Sequence, residues 1–128
     1  MSATVDEWLS KAHRDLQSAE RELTSGDPNF DLVCFLCQQT AEKIMKAVLI
    51  SRQQLAPKTH DLVDLSRAIN QVVAFEYDEP TLKWLTAAAV DYRYPGESAD
   101  ADDANRAFHI CRSVRDHLLP LVEQNPSS

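Results

Sequence analysis

Glycine is nearly missing from this chain, with two residues in 128. So small a supply of the residue that tight turns need argues against a meander of short strands and for long helices. No apolar run approaches the roughly 20 residues that a membrane span requires. The opening "MSATVDEWLSKAHRDL" turns amphipathic at once and has no basic-then-apolar leader pattern. A cytoplasmic location with no membrane attachment is therefore expected. Positive charge is scarce as well: 13 Lys and Arg stand against 20 Asp and Glu, a formal net charge of −7. Non-specific nucleic-acid binding draws on clustered basic residues and is not expected, although a local basic pocket is compatible with this balance. Three cysteines without a secretion signal do not suggest a disulfide framework. Gly-rich phosphate loops, His-Glu-x-x-His metal motifs and nucleophilic triads are lacking too, so neither a metal nor a cofactor is expected.

What the chain does have is helical periodicity. Its 128 residues suit one helical domain with its core over about 5–119 and a frayed tail at 123–128. Val5, Trp8, Leu9, Ala12, Leu16, Ala19 and Leu23 recur at steps of three and four, which predicts a one-faced helix from Thr4 to Thr24. "SGDPN" breaks it and offers a cap to the next. "FDLVCFLC" is apolar on nearly every side, so a second helix, Phe30 to Gln53, should lie at the centre. A third follows "LAPKTH" with Thr59 as N-cap and Leu62, Leu65, Ile69 and Val72 on one face. Pro80 suits the first position of a fourth, striped by Leu82, Leu85, Ala89 and Tyr92. "RYPGESADADD" halts that helix, since Pro95 disfavours helical geometry at Tyr94. The fifth is expected over Asp102 to Val122, with acidic residues at its start where the helix dipole favours them. The fold class is all-α: an antiparallel four-to-five-helix up-and-down bundle.

Chemistry concentrates in "CQQTAEKIMKAVL" (Cys37 to Leu49). Glu42 and Lys46 stand four apart, either as a solvated pair or as part of a buried cluster that meets polar groups from other helices. Arg115 falls in the middle of the fifth helix's apolar arc, and Arg93 on the inner edge of the fourth. An inward guanidinium needs a carboxylate, carbonyls or an anion, and Glu42 is the natural partner; otherwise each head snorkels to water. Cys34 and Cys37 form a C-x-x-C with no strand before it, and His109 and Cys111 do not converge, so buried small hydrophobes are expected. His60 sits beside a helix start, where it could cap or bind. His13, His109 and His117 should be exposed.

"W-x3-A-x2-DL" (Trp8, Ala12, Asp15, Leu16), "CQQTAEKIMKAVL", "KTHDLVDL" and "DYRYP", in this order from Val5 to Leu119, resemble the HEPN family of higher-eukaryote and prokaryote nucleotide-binding domains. The resemblance implies a helical bundle that commonly forms a homodimer. Many members are metal-independent ribonuclease toxins that use an Arg and a His four to six residues after it. Others, including the domain that ends human sacsin, lack that motif. These act as nucleotide-binding or interaction modules, often beside a small nucleotidyltransferase in toxin–antitoxin or defence-type systems. Arg93 stands where a catalytic Arg would, but "YPGESADADDA" after it holds no His. Arg112 and His117 satisfy the spacing, yet on a helix of about 100° per residue they lie roughly 140° apart and should diverge. The resemblance therefore implies a binding module, with a ribonuclease or a purely structural dimeric subunit as alternatives. The ligand site it implies is Gln38, Gln39, Glu42, Lys43, Lys46, His60, Arg93 and Tyr94.

Overall fold

A computed structural model describes residues 3–123. Five α-helices form among them: α1 (Val5–Leu23), α2 (Phe30–Ser51), α3 (Leu62–Asn70), α4 (Glu79–Asp91) and α5 (Ala101–Leu118). A 3-10 turn, Leu119–Leu121, closes the last, and no strand occurs among the described residues. The all-α bundle read from periodicity is the fold.

Each helix begins where a side chain can satisfy its unpaired first N–H groups. Thr4 with Glu7 and Asp100 with Asp103 form reciprocal capping boxes, while Asn29, Asp61 and Asp78 cap α2, α3 and α4. Asp61, and not Thr59, caps α3. The Thr59 hydroxyl instead accepts the Asp61 N–H at 3.1 Å, which holds the cap in place. In α4 the cap at Asp78 makes Pro80 the second helical residue, not the first.

Helix ends follow proline and chain geometry. α5 stops at Leu118, short of the expected Val122. Pro120 has no N–H for the carbonyl four residues back, so the chain tightens into the 3-10 turn. α2 ends at Ser51, two residues early, and Gln53 leaves it in the left-handed region at φ 65°. Arg52 reaches back from this end, donating from Nε and Nη2 to the Leu121 carbonyl at 3.3 and 3.1 Å. Glu123, expected in a frayed tail, donates its backbone N–H to Ser51 Oγ at 2.9 Å. The rest of that tail, 124–128, lies outside the described residues.

α2 packs against all four other helices, which is why it is apolar nearly all round. Val33, Cys37, Ile44, Met45 and Val48 are fully buried there, against Leu62 and Leu65 of α3, Leu82 and Leu85 of α4, and Val114 and Leu118 of α5. Cys34, Cys37 and Cys111 are free thiols in this core. Burial, with nearby Asp103, Asp31 and Asp100, pushes the Cys34 thiol up to about 12. A hydrogen bond with Cys111, then burial, raises Cys37 as well. Neither thiol offers a thiolate near neutral pH, so both act as small hydrophobes.

Candidate ligand-binding site

The polar half of α2 turns inward. Glu42 and Lys46 are only 4% and 6% exposed, which settles the open choice against a solvated pair. Lys46 Nζ donates to Glu42 Oε2 at 3.0 Å. Glu42 Oε1 takes the Gln38 amide at 3.1 Å and faces His60 Nδ1 at 2.9 Å. Gln38 Nε2 also donates to the His60 carbonyl at 2.9 Å, and Gln38 Oε1 accepts from Gln39 at 2.8 Å. Lys46 completes the arrangement by lying 5.7 Å from the ring centre of Trp8 on α1.

Burial by itself would raise the Glu42 carboxyl. Hydrogen bonds from Gln38, His60 and Lys46, with the Lys46 charge, outweigh it and hold the group below its ordinary value. An ionised carboxylate is acceptor only, so His60 Nδ1 must be the donor. The neutral imidazole therefore carries its proton on Nδ1 and leaves Nε2 bare, on a side chain that is 79% exposed.

Beside this network lies a cleft of about 270 Å³ between α2 and α4. Phe35, Gln38 and Gln39 of α2, His60 of the following loop, Thr86, Ala89 and Val90 of α4, and Arg93 line it. Arg93 follows the end of α4 and is exposed, its guanidinium carbon 5.5 Å from the Phe35 ring centre. Among the described residues it has no carboxylate partner. The expected Arg93–Glu42 pair does not form, because Glu42 is satisfied by its own helix and by His60. Thr86 also accepts the Leu62 N–H at 3.1 Å, joining the start of α3 to the cleft wall.

Of the residues expected in a site, Gln38, Gln39, His60 and Arg93 line the cleft, and Glu42 and Lys46 support it from below. Lys43 does not join them: it turns to α1 and pairs with Asp15. Tyr94 is 64% exposed beyond Arg93 and does not line the cleft. The α4 wall was not expected, although Thr86, Val90 and Arg93 stand at helical steps of four and three that place them on one face. Arg115 does not reach Glu42 either. It snorkels to the surface, donating from Nε to Asp116 Oδ1 at 3.0 Å.

A second, shallower groove of about 310 Å³ runs along α5, lined by His109, Arg112, Ser113, Asp116 and His117. Arg112 and His117 share it despite their divergent wheel positions, each against a different ring. Arg112 lies 5.6 Å from the Phe108 ring centre, and His117 meets the Tyr77 ring edge-on at 5.4 Å. His117 Nδ1 donates to its own helix at the Ser113 carbonyl, 2.8 Å away. Among the described residues no group of three or more His, Cys, Asp or Glu is placed to hold a metal ion. No helix is long and apolar enough to cross a membrane among those residues.

A helical bundle whose central helix carries a buried polar network to a surface cleft is the class of protein defined so far. The chain matches the HEPN domain family over residues 5–120, and it belongs to that family. Among solved structures it is similar to TT1696 from Thermus thermophilus, with a TM-score of 0.80. The likeness covers 91% of this chain and 97% of that one at 22% identity, and it concerns the fold. No curated protein matches the sequence.

Proposed function

We propose that the chain is a nucleotide-binding module and that the α2–α4 cleft is where the nucleotide sits. The observation that carries this reading is Arg93: a guanidinium at the cleft rim, over an aromatic ring, with no carboxylate partner among the described residues. Lys46, buried below the cleft, is committed to Glu42. A guanidinium suits phosphate, and the Phe35 ring with the Gln39 amide suits a base. At about 270 Å³ the cleft sits near the lower end, about 300 Å³, of small-molecule pockets. That size favours a mononucleotide over a dinucleotide. Exposed Leu32, Val90 and Tyr94 are apolar or aromatic surface available to a partner. With the family membership, this supports a second copy of the chain and a small cytoplasmic nucleotidyltransferase as partners, in a toxin–antitoxin or defence-type system.

The test is a thermal-shift titration of the purified protein with AMP, ATP and GTP. Saturable stabilisation, shifted to about tenfold higher nucleotide in a folded Arg93→Ala variant, is the expected result. No shift at millimolar nucleotide would remove the ligand and leave the Gln38–Glu42–Lys46 network as a structural clamp. A second reading, metal-independent RNA cleavage, draws on the α5 groove that Arg112 and His117 share. It requires RNA cleavage in the presence of a chelator, abolished by His117→Ala.

A further inference from the structure

We infer that the cleft selects a terminal phosphate monoester, and that His60 supplies the second positive charge by gaining a proton at Nε2 as the ligand binds. This rests on the nucleotide reading above and adds the ligand's phosphate class and the proton that accompanies it.

The charges around the cleft lead there. From α2, Glu42 and Lys46 are both buried and joined at 3.0 Å, so they cancel. Past the end of α4, Arg93 offers one positive charge. In the loop that carries His60, the Asp61 carboxylate is turned to the start of α3, accepting N–H groups of Val63 and Asp64 at 2.8 and 3.4 Å. Lys58 in that loop, Asp64 on α3 and Asp91 on α4 are solvent-exposed, where water and salt screen them. With Asp61 turned to the start of α3, Arg93 is the cation set at the cleft rim, whereas a phosphate monoester carries roughly −1.5 to −2 at neutral pH. A phosphodiester carries one negative charge, and Arg93 alone balances it.

His60 is built to make up the difference. Its ring is held from behind by the Glu42 carboxylate at Nδ1, which fixes the proton there and leaves a lone pair at Nε2. A lone pair repels a phosphate oxygen, while an N–H attracts it. Since the side chain is 79% exposed, Nε2 takes its proton directly from solution. The imidazolium then lies between two anions, Glu42 on one side and the phosphate on the other. Binding a monoester should draw in a proton, and binding a diester should not.

Isothermal titration of the full chain with AMP at about pH 7.5, in two buffers of different ionisation heat, reads this proton directly. His60→Asn is the comparison, because its amide keeps a donor for Glu42 while removing Nε2. The nucleotide's own proton equilibrium is common to both proteins and cancels in the difference. Wild type should take up about one more proton than His60→Asn and bind AMP about tenfold more tightly. Cyclic 3′,5′-AMP, a diester, should bind weakly to both with no difference in uptake. Equal uptake by both proteins with AMP bound would overturn the inference and leave the nucleotide reading standing. An absence of binding by AMP and by inorganic phosphate would overturn the nucleotide reading itself, and this inference with it.

Discussion

Among the described residues the α2–α4 cleft and the α5 groove both bring arginine and histidine together, and they are made in opposite ways. In the α2–α4 cleft the residues come from two helices and two connecting segments, and the imidazole is held by a buried carboxylate. In the α5 groove every lining residue belongs to one helix, and His109, Arg112, Asp116 and His117 are exposed. The first has its polarity imposed from the interior, since Glu42 fixes Gln38, Gln38 fixes Gln39, and Glu42 orients His60. In the second, His117 rests on a carbonyl of its own helix and the edge of the Tyr77 ring, with no buried carboxylate behind it among the described residues. Residue types at a suggestive interval do not make a site; something buried has to hold them.

Breaking the interior partner should give the largest effect. Glu42→Ala leaves Lys46 buried without its counter-charge and is expected to cost about 3–5 kcal/mol in urea unfolding. Asp116→Ala, its counterpart in the α5 groove, should stay within about 0.5 kcal/mol. Equal losses at the two sites would dissolve the contrast. Acid sharpens it further. Because Glu42's folded pKa lies below its ordinary 4.5, its stabilisation is present above that value and fades as pH falls through the folded one. The melting-temperature advantage of wild type over Glu42→Gln should therefore hold above the ordinary value of 4.5 and shrink as pH falls below it. Binding gives the next contrast: Arg93→Ala should weaken AMP binding about tenfold with little change in melting temperature, and Arg112→Ala should do neither. A smaller loss concerns the loop that presents His60. Asp61→Ala removes the α3 cap and should cost about 1 kcal/mol, with Thr59→Ala costing less.

The sequence made the helices plain because apolar residues recur at steps of three and four along α1, α3, α4 and α5. The all-round apolar start of α2 marked it as central. Boundaries were harder. Pro120 sits where an apolar stripe still runs on to Val122, and the stripe concealed the break. Thr59 and Asp61 are both good caps, and only the path of the loop decides between them. At the candidate cleft, wheel angles gathered α2 residues that line or support it, but pairing across elements was not legible. Arg93 and Glu42 looked complementary, yet residues on α2's own faces, Gln38 and Lys46, reach the carboxylate first. Lys43, next in sequence to Glu42, is about 100° round the helix and so belongs to α1. Helical periodicity assigns a face; it does not say which neighbour that face will meet.

Lys46, set between the Trp8 ring and the Glu42 carboxylate, ties the first helix to a cleft it never touches. Local opening of α1 would admit water to that ammonium, loosen its hold on Glu42 and free the imidazole that Glu42 orients. Ligand affinity then includes the cost of keeping α1 docked, and occupancy should slow hydrogen exchange along α1 as well as beside the bound molecule. The N-terminal helix is thus an energetic part of a pocket built from other elements.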